Sequence, residues 1–230
     1  MSSGVDHAGL AATANHQLDT QLARLREAGV AADGEAVERD ARSILAGAAP
    51  IADAIVVGQR GHDGACPAHV GSVSRHLATH SEVPTIVVPE ESATAPATRI
   101  AVGFDGSDES RAALRWALRI TTEDAEIQVV RAFEVMNWLS PAATLERFQP
   151  EIDDAKAAFE ADVAELDPDG RTTLRFEVGD AREILDATSA EVELLVLGSR
   201  GAGRLASAIL GTVTSHLLHH ARTPIAVVPS

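Results

Sequence analysis

Leu194-Leu195-Val196-Leu197-Gly198-Ser199-Arg200-Gly201, followed after nine residues by Gly211-Thr212-Val213-Thr214, is the stretch whose reading decides the architecture. A short, continuously apolar run closed by glycine reads as a strand with both sheet faces covered by helices. Gly201 then falls inside a tight turn, where a missing side chain lets backbone approach a ligand. Gly211-Thr212 stands where the next helix opens. Free N–H groups at a helix start, the positive end of its dipole, and the hydroxyls of Thr212 and Thr214 together favour an anion such as a phosphate. Glycines after strands are also ordinary turn residues, and Ser or Thr is an ordinary cap, so a purely structural turn stays open on this run alone.

Working outward, the same half of the chain alternates strand and helix. Arg99-Ile100-Ala101-Val102-Gly103 predicts a strand, and Ser107 to Ile120 a helix capped by Ser107, with Asp108 and Glu109 in its first turn. A strand over Glu126 to Phe133, a helix from about Pro150 to Leu166, a strand over Arg171 to Val178 and a short helix opening near Asp180 follow. After the glycine loop come a helix from Gly211 to Ala221 and a last strand from Pro224 to Val228. Such alternation implies right-handed crossovers and a parallel sheet. Ligands of such sheets lie at the carboxyl ends of the strands, where Asp105, just past the first strand, would face the glycine turn. A carboxylate there suits ribose hydroxyls and repels phosphate, so it is expected on the nucleoside side.

The half repeats. At one gap-free offset of 140 positions, Asp40-Ala41-Arg42 falls on Asp180-Ala181-Arg182, and Gly58, Arg60 and Gly61 fall on Gly198, Arg200 and Gly201. Gly71-Ser72-Val73-Ser74 falls on Gly211-Thr212-Val213-Thr214, and Val87-Val88-Pro89 on Val227-Val228-Pro229. The expected organisation is a first unit over 1–90, a polar, proline-bounded linker over 91–97, and a second unit over 98–230. Met1 aligns with Pro141, so the first unit begins around its second helix (about His16 to Ala28) and lacks the opening strand–helix–strand. It either leans on another surface or is completed by residues upstream.

At these residues the chain resembles the universal stress protein family in its tandem form. The family pattern of Gly, two residues, Gly, nine residues, Gly-Ser/Thr is met by Gly198, Gly201 and Gly211-Thr212, and again by Gly58, Gly61 and Gly71-Ser72. Val102-Gly103-Phe104-Asp105-Gly106-Ser107 looks like the family's first-strand motif, and Pro224 to Pro229 like its last strand. The resemblance implies Rossmann-like, flavodoxin-like parallel sheets in the order 3-2-1-4-5, dimers through the last strand, and ATP, with Mg, in the glycine loop of many members. Carried over by position, the adenine and ribose side is Gly103, Phe104, Asp105 and Ala132. The phosphate side is Leu197, Gly198, Gly201, Gly211, Thr212, Val213 and Thr214. Two roles stay open for Arg200, charge for the phosphate or a solvated side chain. The first copy has no counterpart of Asp105 and carries Asp63 where a phosphate would lie, so it is expected not to bind nucleotide by itself.

Composition narrows the rest. Lys+Arg 19 against Asp+Glu 34 gives a net charge of −15, and Lys156 is the single lysine. With aromatics at 3% and no Tyr, both phosphate neutralisation and base stacking are scarce, which argues against nucleic acid as partner. The lone Cys66 supports no internal disulfide, no apolar run has membrane-spanning length, and the N-terminus does not read as a signal peptide; a soluble, cytoplasmic protein is expected. No Gly-Lys-Ser/Thr triplet and no Gly-x-Ser-x-Gly elbow occurs, and no base is paired with a charge stabiliser. Holding a nucleotide is therefore favoured over cleaving it, with no catalytic residue assigned. His216 and His220, mirrored by His76 and His80, have chelating spacing but no acidic or Cys partner beside them, so no metal site is expected. The leading expectation is an ATP-binding stress or regulatory protein working through its second unit. A ligand-free interaction module of the same fold and a slow ATPase are the alternatives. The apolar, proline-ended strands at Pro84–Pro89 and Pro224–Pro229 need cover, from each other or from a second chain in a homodimer.

Overall fold

The computed structural model describes residues 7–61, 70–90, 92, 97–135, 141–201 and 209–230, without the side chains of 7, 8 and 141–146. Two compact units divide between Ile44 and Leu45. The first holds α1 (His7–Glu27), which ends at Gly29, where φ is +78° and the amides of Gly29 and Val30 turn back onto the Arg26 and Leu25 carbonyls. Residues 32–38 match a strand of the second repeat by position, yet form none. A strand exists only through its ladder, and this segment has no neighbour to pair with among the described residues.

The second unit is a sheet with helices on both faces. Its strands are β1 (Ile55–Gly58), β2 (Thr85–Val88), β3 (Arg99–Gly103), β4 (Glu126–Phe133), β5 (Thr172–Val178), β6 (Leu194–Gly198) and β7 (Ile225–Val228). Their order is β1-β2-β7-β6-β3-β4-β5. The five strands of the second repeat thus stand in the order 3-2-1-4-5, all parallel, as expected. The sheet reverses direction once, where β2 pairs antiparallel with β7. Ile86 faces Ala226, Thr85 faces Val227, and Val87 faces Ile225. Since Ile86 and Ala226 are equivalent in the two repeats, a pseudo-twofold axis passes between them. The two apolar edges cover one another inside one chain.

The helices are α2 (Ala41–Ala48), α3 (Ser72–His80), α4 (Asp108–Ile120), α5 (Pro141–Leu166), α6 (Ala181–Ser189) and α7 (Thr212–His220). α5 begins at Pro141, not near Pro150. Pro150 lies inside it, since one missing N–H and a local kink are tolerated where the flanking turns are sound. Two cores flank the sheet. Ile100, Val102 and Val196 pack with Leu114, Trp116 and Phe159 on one face. Ala101, Leu195 and Leu197 pack with Leu185, Leu217 and Leu218 on the other. Residues alternating along β3 and β6 therefore enter opposite cores, which is why both strands read as unbroken apolar runs.

Candidate functional site

β3 and β6 are neighbours at the centre of the sheet, and their chains leave toward opposite sides, so a crevice opens beyond their carboxyl ends. On the β3 side the backbone passes through Phe104, buried against Phe159 at 5.7 Å between ring centroids, to Asp105 and Gly106. Gly106 has φ +82°, which a side chain would strain. Ser107 caps α4, its hydroxyl accepting from the Ser110 amide at 3.2 Å. Asp105 Oδ1 accepts from the Ser107 amide at 3.0 Å and from its hydroxyl at 2.5 Å. Beneath this loop Arg111 pairs with Asp162 at 2.6 Å and donates to the Gly106 carbonyl at 3.4 Å.

The opposite wall is the glycine turn. A Cβ on Gly198 would stand 2.7 Å from the Cβ of Glu109, so the first turn of α4 sits directly on it. A Cβ on Gly201 would stand 2.5 Å from Oδ2 of Asp105. The carboxylate has crossed the crevice and lies against the turn. The Gly211 amide donates to the Ser199 carbonyl at 2.9 Å, and the Thr214 hydroxyl to the Gly198 carbonyl at 2.9 Å. The N-cap of α7 is Gly211, which has no side chain to offer, so among the described residues the helix start carries no side-chain cap.

Gly103, Phe104, Asp105, Ala132, Leu197, Gly198, Arg200, Gly201, Gly211, Thr212, Val213 and Thr214 all line one cavity of about 300 Å³. Four further lining residues, Ser110, Val130, Ala181 and Leu185, carry no sequence motif. Val130 was accessible by alternation, two positions from Ala132 on β4; Ala181 and Leu185 arrive with α6, whose approach is a tertiary event. Asp180 caps α6 by accepting from the Arg182 amide at 2.8 Å, and the Arg182 side chain holds its carboxyl down to about 2.

Two of these side chains are already engaged within the protein. The Thr214 hydroxyl is spent on the Gly198 carbonyl and buried, so it fastens the turn and is not a free donor for an anion. The Arg200 side chain, 28% exposed, pairs with Glu109 at 3.0 Å and donates to the Ser230 hydroxyl at 3.2 Å. Proximity of α4 to the turn, fixed by Gly198, brings that acid within reach.

The first repeat rebuilds the same turn. The Gly71 amide donates to Gln59 O at 2.8 Å, the Ser74 hydroxyl to Gly58 O at 2.7 Å, and the Gln59 amide to Val88 O at 2.7 Å. No strand lies on the far side of β1 among the described residues, so nothing there stands in for Asp105. The Gln59 side chain instead donates to the Leu218 carbonyl at 2.7 Å, tying the first repeat to the end of α7. Asp63, Cys66 and most of the loop around them lie outside the described residues. His216 and His220 stack at 4.2 Å and His76 and His80 at 4.6 Å, each C-terminal ring bonding its own helix carbonyl. Among the described residues no three His, Cys, Asp or Glu side chains gather into a metal-binding group, and no described helix is long and apolar enough to cross a membrane.

Fold and crevice define a doubly wound α/β protein built from two related repeats, with an open switch-point pocket in the complete one. The chain belongs to the Universal stress protein family, whose model matches residues 2–89 and 96–229. It is 34% identical over 139 residues to a universal stress protein of Mycolicibacterium smegmatis, an alignment covering 56% of this chain and 47% of the relative. It is 30% identical over 183 residues to one of Mycobacterium tuberculosis (strain H37Rv), covering 76% of this chain and 61% of that one. The chain thus spans about half to three fifths of the length of these curated relatives. Among solved structures, a universal stress protein from Archaeoglobus fulgidus superposes with a TM-score of 0.70 at 21% identity, covering 100% of this chain and 83% of the other. A putative universal stress protein from Pseudomonas aeruginosa gives 0.64 at 17% identity, covering 99% and 80%. Both likenesses are of fold.

Proposed function

We propose that the second repeat binds an adenine nucleotide, ATP with Mg, and that this chain acts as a nucleotide-responsive regulatory protein of its family. The observation that carries the reading is the convergence of two separate motifs, Gly103–Asp105 and Gly198–Thr214, on one cavity of about 300 Å³. That volume is at the lower end for a small-molecule site, roughly 300–1,000 Å³, and its walls have the usual mixture of apolar surface and a few polar groups. Val130, Ala132 and Leu185 offer an apolar slot for a base. Asp105 offers acceptors to ribose hydroxyls, and the uncapped start of α7 offers N–H groups and dipole to phosphate. Among the described residues no lysine or activated base lies in the lining, which favours retention over turnover. The residues present fit magnesium only as an ion brought in on the phosphates, since Asp105 is the one acid that lines the cavity among the described residues.

Equilibrium dialysis against labelled ATP tests this directly. The expected result is one nucleotide retained per chain, lost in Gly211→Val and weakened at least about ten-fold in Asp105→Ala, as for loss of a charge-assisted hydrogen bond pair. Equal retention by wild type and both variants, or none by any, would sink the reading and leave an interaction module with an empty crevice.

A further inference from the structure

Resting on the nucleotide reading, we propose that Glu109 and Arg200 form a charge latch on the glycine turn, opened when a phosphorylated ligand draws the guanidinium off the carboxylate. Arg200 lines the cavity, yet its charge is turned to Glu109 at 3.0 Å and to the Ser230 hydroxyl at 3.2 Å. Glu109 is not part of the lining, and its side chain is only 15% exposed. It belongs to the first turn of α4, which Gly198 admits to within 2.7 Å of its own missing Cβ. The turn is therefore gripped from the β3–α4 side at two points, by Asp105 against Gly201 and by Glu109 on Arg200.

Electrostatics gives this arrangement a consequence. With the latch closed, the one arginine of the cavity wall among the described residues is neutralised, and an arriving phosphate meets a partner already engaged. A phosphate chain carries more charge than a carboxylate and accepts the guanidinium fork equally well, so it can compete for Arg200. A nucleoside without phosphate offers the arginine only neutral acceptors, which do not displace a carboxylate, and leaves the latch shut. The pair thus sets a preference for phosphorylated over bare ligands, and part of the ligand's intrinsic affinity is lost to opening. Removing the acid removes that loss.

Adenosine, ADP and ATP are titrated against the full chain, wild type, Glu109→Gln, Arg200→Gln and the double variant. Glu109→Gln is expected to tighten ADP and ATP by about five- to ten-fold, the scale of one partly buried charge pair, and to leave adenosine within about two-fold. The gain should vanish in the double variant, because it requires a freed Arg200. An unchanged ATP affinity in Glu109→Gln overturns the latch, and so does a gain that persists without Arg200, since simple relief of repulsion would then suffice. Amide exchange at Ser199 and Gly211, whose N–H groups bond Val228 and Ser199, judges the latch without any ligand. Each single variant should speed exchange several-fold, and the double variant no more than the faster single. If wild type holds neither adenosine nor ATP, the nucleotide reading fails by itself, and unaltered exchange in the variants overturns the latch too.

Discussion

At the scale of single residues, the two copies of the glycine motif serve as each other's control. Gly201 and Gly61 occupy equivalent positions, but a Cβ on Gly201 would meet Asp105 Oδ2 at 2.5 Å, while one on Gly61 would meet nothing within 4 Å among the described residues. Gly201→Ala must push the carboxylate off the turn and is expected to cost about 1–3 kcal/mol, the range for forced repacking. Gly61→Ala should stay within about 0.5 kcal/mol of wild type, as surface changes do. Urea midpoints of the two variants check the difference, and equal values would show that Asp105 does not rest on the turn. The motif glycines are legible in sequence, and in the second copy each marks a place where chain meets chain closely. What they approach is not: Glu109 is an ordinary first-turn acid until α4 docks on Gly198. Thr214 shows the same limit, since a hydroxyl two residues into a helix looks available until the Gly198 carbonyl is seen above it.

At the scale of elements, helix ends follow from local chemistry. Asp180 was expected to open α6 and does so, accepting from the Arg182 amide. Asp180→Ala is expected to cost about 1 kcal/mol, as loss of an N-cap does. Its pH dependence has a definite sign. Arg182 holds the folded carboxyl at about 2, below its unfolded value of roughly 3.9, so the contribution is complete above about pH 4 and is lost as pH falls through about 2. The stability gap between wild type and variant, followed by urea melts from pH 5 to 2, should narrow over that window and be flat above it. Core packing gives a second expectation: Leu217, fully buried between α7 and the sheet, should cost about 2–5 kcal/mol as Leu217→Ala, read from thermal melts. Strand limits were readable almost to the residue where apolar runs are bounded by glycine or proline. Residues 32–38 were not, because strand character needs a neighbour, and neither was the start of α5, where Pro150 mimics a helix beginning.

At the scale of the whole molecule, β2 and β7 form an antiparallel seam across a pseudo-twofold axis at Ile86 and Ala226. An apolar edge that would otherwise recruit another chain is consumed internally. Residues 98–230 expressed alone should uncover Ile225 and Val227 and dimerise, with Ala226 facing its own copy as the pseudo-axis becomes a true one. Sedimentation at rising concentration checks this, and a monomer throughout would show that the seam is not self-complementary.

By itself the sequence determined the repeat, the alternation of strand and helix, the 3-2-1-4-5 order through its family likeness, and the identity of twelve residues that meet at one cavity. These follow from short-range causes: side-chain periodicity, caps, and glycines at turns, all written within a few neighbouring positions. Only the tertiary structure decided that the two repeats join edge to edge, that α6 brings Ala181 and Leu185 to the pocket, and that Arg200 is engaged by Glu109. Those pairings depend on which surfaces approach across large sequence separations, and many sequences with the same local pattern would place different partners there.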